Sequence, residues 1–138
     1  MLKVCGVHAA RNLAVHRALN ILAVDDEPLI ATSVSFVLAG PGRTVTTASN
    51  AKEALAKIAG SPPFDVIITD HSMPGLSGLE LVQRLRVDGF AGKIVVLSAH
   101  LTDENRRAYC ELKVDGLVEK PFDVRKLREV INTLAQSA

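Results

Sequence analysis

Residues 66–78 read VIITDHSMPGLSG. The apolar run Val66-Ile67-Ile68 is typical of a strand that is buried on both faces of a parallel sheet. The strand ends in a carboxylate, Asp70, and a Pro-Gly turn follows it. A carboxylate at the end of a buried strand is costly unless a neighbouring group compensates its charge. The segment therefore predicts either a structural ion pair or a chemical site at Asp70.

An apolar run followed by an amphipathic helical pattern occurs five times between Asn20 and the end of the chain. Such alternation is typical of an α/β fold in which helices cover both faces of a parallel sheet. We therefore predict one doubly wound domain with five parallel strands and five helices, residues 20–138, after an N-terminal extension, residues 1–19. The predicted strands are Ile21–Val24, Thr44–Ala48, Phe64–Thr69, Lys93–Leu97 and Gly116–Val118. The second of them is the most polar and is expected at an edge.

Capping residues predict where the helices begin. The predicted starts are, in chain order, Pro28, Asn50 with Glu53, Ser77 with Glu80, Thr102, and Asp123. The fourth helix has the thinnest apolar stripe, formed by Ala108, Tyr109 and Leu112. We expect this helix to be held loosely enough to shift.

The composition excludes several classes of partner. The chain has 138 residues, 48% of them hydrophobic, and a formal net charge of +1. This charge favours neither nucleic acid nor an anionic membrane as a partner. Four Phe, one Tyr and no Trp offer no platform on which bases could stack. We therefore expect that this chain binds no nucleic acid and no membrane.

The N-terminus and the two cysteines bear on the cellular location. No segment reaches the length of a membrane span, and residues 1–19 lack the apolar core of a secretory signal, so we expect a cytoplasmic protein. Cys5 and Cys110 do not have the spacing of a zinc site. Two reduced thiols are expected in that compartment, although a disulfide between them stays open.

Ionisable and polar residues follow four of the five predicted strands. The carboxyl ends of parallel strands meet at one edge of a sheet, which is where open α/β sheets bind their ligands. Aspartates that lie close together repel each other unless a cation intervenes, and Mg²⁺ prefers carboxylates, water and phosphate oxygens. Carboxylate, ammonium and hydroxyl groups beside Mg²⁺ suit the transfer of a phosphoryl group to an aspartate. The residues concerned are Asp25, Asp26, Glu27, Asp70, Ser98 and Lys120.

Four motifs together resemble the receiver domain of two-component response regulators. They are AVDDEP at 23–28, VIITDHSMPGLSG at 66–78, VLSAH at 96–100 and VEKPF at 118–122, and the resemblance covers about residues 20 to 136. It implies a flavodoxin-like three-layer sandwich with strand order 2-1-3-4-5. It also implies a single-domain response regulator that is not an enzyme in the usual sense, because it catalyses only its own phosphorylation and dephosphorylation.

The resemblance also implies a metal site. Asp70 looks like the phosphoacceptor and a ligand of Mg²⁺. Asp26 looks like a direct Mg²⁺ ligand, and Asp25 looks like a ligand that acts mainly through water. The backbone carbonyl of Ser72 is expected to complete the protein's share of the coordination.

Two further residues resemble the switching groups of the family. Ser98 resembles the hydroxyl that moves to bind the phosphoryl group, and Lys120 resembles the lysine that pairs with it. The peptide bond between Lys120 and Pro121 is expected to be cis. The family often has an aromatic residue three positions before the lysine, where this chain has Leu117. An aromatic switch at that position is therefore in doubt.

The resemblance implies a histidine kinase or a histidine phosphotransfer protein as the phosphodonor, and an unknown protein as the downstream partner. The charge added at Asp70 would shift an equilibrium between two states. His71 and His100 beside the site are interpreted as exposed loop histidines, and His100 is expected to tune the lifetime of the phosphorylated state.

Other functions compete with that of a phosphorylated receiver. A pseudo-receiver that binds partners without being phosphorylated stays open, as does a receiver excised from a larger regulator or a hybrid kinase. An aspartyl-phosphate phosphatase would need a second acid two residues after Asp70, where this chain has Ser72. A flavin-binding protein is disfavoured because Asp25 and Asp26 would repel the flavin's phosphate.

Overall fold

The computed structural model describes residues 19–60 and 63–137. The extension predicted at residues 1–19 therefore lies, except for Leu19, outside the described residues. Cys5 lies outside them as well. Cys110 is exposed and forms no disulfide within the described residues, and the reduced state of both cysteines stays a prediction.

Five strands and five helices alternate along the described residues. They are β1 (Leu19–Val24), α1 (Pro28–Leu38), β2 (Arg43–Ala48), α2 (Ala51–Gly60), β3 (Val66–Asp70), α3 (Gly78–Val87), β4 (Lys93–Ser98), α4 (Asp103–Glu111), β5 (Gly116–Glu119) and α5 (Val124–Ser137). Within the described part of the chain, no helix combines the length and the apolar character that crossing a bilayer requires.

The five strands form one parallel sheet in the order β2-β1-β3-β4-β5. The predicted fold class and strand order are confirmed, and the polar strand β2 lies at an edge as expected. The strand register places Val24 of β1 opposite Thr69 of β3, and Asp70 of β3 opposite Leu97 of β4. The carboxyl ends of the three central strands therefore lie side by side.

The core consists of two apolar layers, one on each face of the sheet. Alternate residues of β1 point to opposite faces: Leu22 and Val24 belong to one layer, and Ile21 and Ala23 to the other. Helices α2, α3 and α4 cover the first layer, and helices α1 and α5 cover the second. The result is a three-layer sandwich that buries the central strands on both faces.

Side-chain caps begin several helices as predicted. Ser77 and Glu80 form a reciprocal capping box at α3, and Thr102 accepts a hydrogen bond from the N–H of Asn105 at α4. The capping pair predicted at α2 is confirmed for Asn50 but not for Glu53. Asn50 accepts from the N–H of Glu53, but the Glu53 carboxylate accepts from the N–H and hydroxyl of Ser49 instead of from Asn50. Ser49 offers two donors to that carboxylate, whereas the backbone of Asn50 could offer one.

Every strand differs from its predicted bounds by one or two residues at one end or both, and the differences in β3 and β4 bear on the site. β3 begins at Val66 rather than Phe64, and it includes Asp70, while β4 includes Ser98. The hydrogen bond from the N–H of His71 to the carbonyl of Leu97 continues the ladder past Asp70. Asp70 and Ser98 are therefore the last residues of their strands, so the rigid sheet itself fixes their backbones.

Candidate functional site

Three acidic side chains meet at the carboxyl edge of the sheet. Carboxylate oxygens of Asp25, Asp26 and Asp70 all lie within 4.8 Å of one another. Asp25 and Asp70 are each only 5% exposed, while Asp26 is more exposed. Asp25 and Asp26 come directly after β1, and Asp70 ends β3, its neighbour in the sheet. The acids predicted from the sequence are thus brought together.

Lys120 supplies a positive charge to this acidic cluster. Its Nζ lies 2.8 Å from Oδ1 of Asp70 and 3.7 Å from Oδ2 of Asp25. Burial alone would lower the pKa of Lys120, but the hydrogen bond to Asp70 and the charges of Asp70 and Asp25 raise it. The ammonium is therefore charged at neutral pH. A single ammonium among three carboxylates leaves an excess of negative charge when all are ionised.

Asp25 is incompletely satisfied in this arrangement. Its Oδ1 accepts a 2.9 Å hydrogen bond from the N–H of Glu27, but its Oδ2 is buried and has no hydrogen-bond partner among the described residues. Burial raises the pKa of Asp25, the hydrogen bond from Glu27 opposes the increase, and the charge of Asp70 adds to it. A buried, orphaned carboxylate oxygen beside two other acids fits a hard divalent cation such as Mg²⁺.

Ser98 and Lys120 reach this edge from the next two strands. Ser98 is buried at the end of β4, and its Oγ accepts a 3.2 Å hydrogen bond from the N–H of His100. The N–H of Lys120 donates to the carbonyl of Ser98 at 2.7 Å, which aligns the ends of β4 and β5. The Lys120–Pro121 peptide bond is cis, as expected.

The segment behind Asp70 is tightly packed against α3. A Cβ on Gly78 would lie 2.3 Å from the carbonyl oxygen of Asp70 and 2.9 Å from the Cα of His71. Only glycine allows the first turn of α3 to approach the end of β3 this closely. Ser72 lies in the exposed loop between them, and the role of its carbonyl as a metal ligand stays a prediction.

One residue beside the site differs from its sequence-based prediction. His71 was interpreted as an exposed loop histidine, but it is half-buried, with Nδ1 2.6 Å from the hydroxyl of Tyr109 and Nε2 3.4 Å from Nδ2 of Asn105. The His71 and Tyr109 rings also meet edge to face at 5.5 Å. His100, by contrast, is exposed as expected. No local pattern signals the His71 contacts, because their partners lie on α4, more than 30 residues further along the chain.

Comparison with known proteins identifies the family. The response regulator receiver domain matches residues 21–132. The chain belongs to this family. Among solved structures, the chemotaxis protein CheY4 of Vibrio cholerae is 32% identical to this receiver domain with a TM-score of 0.78, and the match covers 85% of this chain and 98% of that one. The response regulator TrrA of Thermotoga maritima, solved in complex with Mg²⁺ and BeF, is 34% identical with a TM-score of 0.73 over 84% of this chain and 98% of that one.

Curated relatives include longer proteins. The probable transcriptional regulatory protein TcrX of Mycobacterium tuberculosis is 34% identical over 107 residues, which cover 78% of this receiver domain and 45% of TcrX. The chain spans about half the length of TcrX and of two further transcriptional regulatory proteins that it matches. The receiver domain is the part that all of them share with this chain.

Proposed function

We propose that this receiver domain accepts a phosphoryl group on Asp70 in the cytoplasm, in a Mg²⁺-dependent reaction, and thereby switches the binding of a partner protein. The donor is a histidine kinase or a histidine phosphotransfer protein. The observation that carries the proposal is the juxtaposition of Asp70 with a buried oxygen of Asp25 that accepts no hydrogen bond from the described residues, and with the charged Lys120. A purely structural ion pair would leave no excess of carboxylates.

The acids have separate roles in this proposal. Asp25, Asp26, Asp70 and the carbonyl of Ser72 would hold Mg²⁺, which when bound offsets the negative charge on the transferred phosphoryl group. An oxygen of Asp70 attacks phosphorus, an O–P bond forms, and the P–N bond to the donor's imidazole breaks. The electron pair of that bond leaves with the imidazole nitrogen.

Two further side chains act on the phosphoryl oxygens. Lys120 exchanges its hydrogen bond to Asp70 for one to a phosphoryl oxygen, since an ammonium favours the more highly charged partner. Ser98 donates its hydroxyl hydrogen to a second phosphoryl oxygen, and turning towards that oxygen would move its Oγ away from the N–H of His100. Both changes start from contacts present in the unphosphorylated chain.

A protein phosphodonor is supported by the exposed face of α1. Leu29 and Phe36 are 83% and 85% exposed, and their spacing of seven residues places them on one face of the helix. Leu29 follows Glu27 and Pro28 at the rim of the acidic site. Exposed apolar side chains on the helix that begins beside Asp25 and Asp26 favour docking of a protein rather than a small molecule as the phosphodonor.

Intact mass spectrometry tests the proposal directly. The protein is incubated with Mg²⁺ and acetyl phosphate, and wild type is compared with Asp70→Asn and with Asp88→Asn, which changes an exposed aspartate at the end of α3. We expect one phosphoryl adduct on wild type and on Asp88→Asn, and none on Asp70→Asn or after chelation of Mg²⁺. A phosphoryl adduct on Asp70→Asn as abundant as that on wild type would contradict the proposal. If wild type acquired no phosphoryl adduct, a pseudo-receiver would be favoured.

A further inference from the structure

Helix α4 combines one buried side chain with several polar contacts to neighbouring elements. Tyr109 is the one fully buried residue within α4. At the carboxyl end of α4, the guanidinium of Arg86 on α3 donates to the carbonyls of Leu112 and Lys113 at 2.8 and 2.9 Å. A third hydrogen bond, to the carbonyl of Phe90 at 3.1 Å, orients the same guanidinium. This end of α4 is therefore fixed to α3.

Two side chains of α4, one in its first turn and one in its last, contact the same imidazole. Asn105 and Tyr109 are four residues apart and share a helix face, and they contact the two ring nitrogens of His71. A neutral imidazole has one donor and one acceptor nitrogen. The Tyr109 hydroxyl and the Asn105 amide can therefore satisfy both nitrogens at once. We refer to the side chains of His71, Asn105 and Tyr109 as the His71 clamp.

Two backbone hydrogen bonds fix the position of His71. Its N–H donates to the carbonyl of Leu97 at 2.9 Å, and its carbonyl accepts from the N–H of Gly78 at 2.9 Å. The preceding residue is Asp70. The clamp thus connects α4 to a fixed point directly beside the proposed phosphoacceptor.

The loop between β4 and α4 starts at the other switching residue. The hydroxyl of Ser98 accepts from the N–H of His100, and α4 begins at Asp103 after a short loop. If Ser98 turns towards a phosphoryl group, its Oγ moves away from that N–H, and the start of the loop is then free to rearrange. A rearranged loop would displace the start of α4, where Asn105 contacts His71.

We propose that the His71 clamp stabilises the unphosphorylated position of α4, and that breaking the clamp is the step by which phosphorylation reaches this helix. The first half of α4 then moves about its carboxyl end, which Arg86 keeps in place. This inference rests on the proposed function, because it needs a phosphoryl group at Asp70. It requires no charge change on His71.

The test uses Mg²⁺ and beryllium fluoride as the phosphoryl mimic. Binding affinity and amide hydrogen exchange of residues 99–109 are measured on wild type, on Tyr109→Phe and on Asn105→Ala. Tyr109→Phe keeps the buried ring and removes only the hydroxyl, while Asn105→Ala changes a partly exposed position. Arg106→Gln is the matched control, since it removes an exposed ion pair between α4 and Glu119 of β5 and leaves the clamp intact.

Thermodynamic reciprocity fixes the expected direction. If the clamp favours the unphosphorylated position, its loss must favour binding of the mimic. We expect Tyr109→Phe to bind the mimic about threefold to tenfold more tightly, the range that one hydrogen bond supplies. Exchange at residues 103–109 of the unliganded variant should approach that of wild type with the mimic bound. Asn105→Ala should act in the same direction, and Arg106→Gln should match wild type.

Two failures are distinguishable. Wild type that binds the mimic, together with clamp variants of unchanged affinity and unchanged α4 exchange, would overturn the inference and leave the proposed function standing. Wild type that neither binds the mimic nor accepts phosphate from acetyl phosphate would overturn both.

Discussion

Lys120 donates a 2.8 Å hydrogen bond from its Nζ to Oδ1 of Asp70, although 50 positions separate the two residues in the chain. The contact arises because β3 and β5 flank β4 in one parallel sheet and end at the same edge. It neutralises Asp70 but leaves Oδ2 of Asp25 without a hydrogen bond. The unphosphorylated site is therefore held together by a charge pair and still carries excess negative charge that a cation would offset.

The substitution Asp25→Asn tests whether Asp25 contributes to cation binding. Removal of one buried carboxylate from the cluster relieves repulsion by Asp70 and Asp26, so we expect the free energy of unfolding at neutral pH without Mg²⁺ to rise by about 1 kcal/mol. Mg²⁺ should stabilise wild type by binding only the folded state, and should stabilise the variant much less. Urea unfolding with and without Mg²⁺ measures both quantities. With Asp88→Asn as control, an unchanged Mg²⁺ dependence in Asp25→Asn would argue against its role at the site.

Gly78→Ala tests the close packing behind Asp70. Its Cβ would lie 2.3 Å from the carbonyl oxygen of Asp70, so α3 or the end of β3 must shift. We expect a loss of about 1–3 kcal/mol in the free energy of unfolding and slower phosphorylation by acetyl phosphate. Gly60→Ala is the control, because a Cβ there meets nothing within 4 Å. Equal stability of the two variants in urea unfolding would show that the approach of α3 does not constrain Asp70.

Much of this site follows from the sequence, because strand-end residues of a parallel sheet must share an edge. Asp25, Asp26 and Asp70 were predicted to meet for that reason alone, and they do. The contacts of His71 could not be predicted in this way. Its partner Tyr109 lies 38 residues away, and which face of α4 packs inward depends on tertiary contacts that a thin apolar stripe does not specify. The predicted strands end one residue before Asp70 and Ser98, because a polar side chain gives no sign that the backbone hydrogen bonding of the sheet continues.

The burial of Tyr109 predicts how the stability of the protein depends on alkaline pH. Burial raises its pKa above the ordinary value of 10.0, and the charge of Asp70 adds to the increase. Because the folded-state pKa is the higher one, the contribution of Tyr109 to stability is fully present below pH 10.0 and is lost as the pH rises through the folded-state pKa. The stability of wild type should therefore fall more steeply above pH 10.0 than that of Tyr109→Phe.

The composition of the chain makes this ionisation directly observable. The chain has one tyrosine and no tryptophan, so tyrosinate absorbance reports Tyr109 alone. In folded protein the absorbance should rise at a higher pH than in urea-unfolded protein. The same midpoint in both states would mean that the phenol is not buried as described.

The exposed face of α1 gives a prediction that separates a protein donor from a small one. Leu29→Ser and Phe36→Ser should slow phosphotransfer from a phosphorylated histidine phosphotransfer protein, by about tenfold when combined, because each removes apolar contact area from the encounter. Their phosphorylation by acetyl phosphate should match wild type, since neither side chain belongs to the acidic cluster. Val87→Ser on α3 is the matched control, because Val87 is 83% exposed and Leu29 is exposed to the same fraction. If Val87→Ser slowed the protein donor as much as Leu29→Ser does, the apolar face of α1 would have no special role in docking.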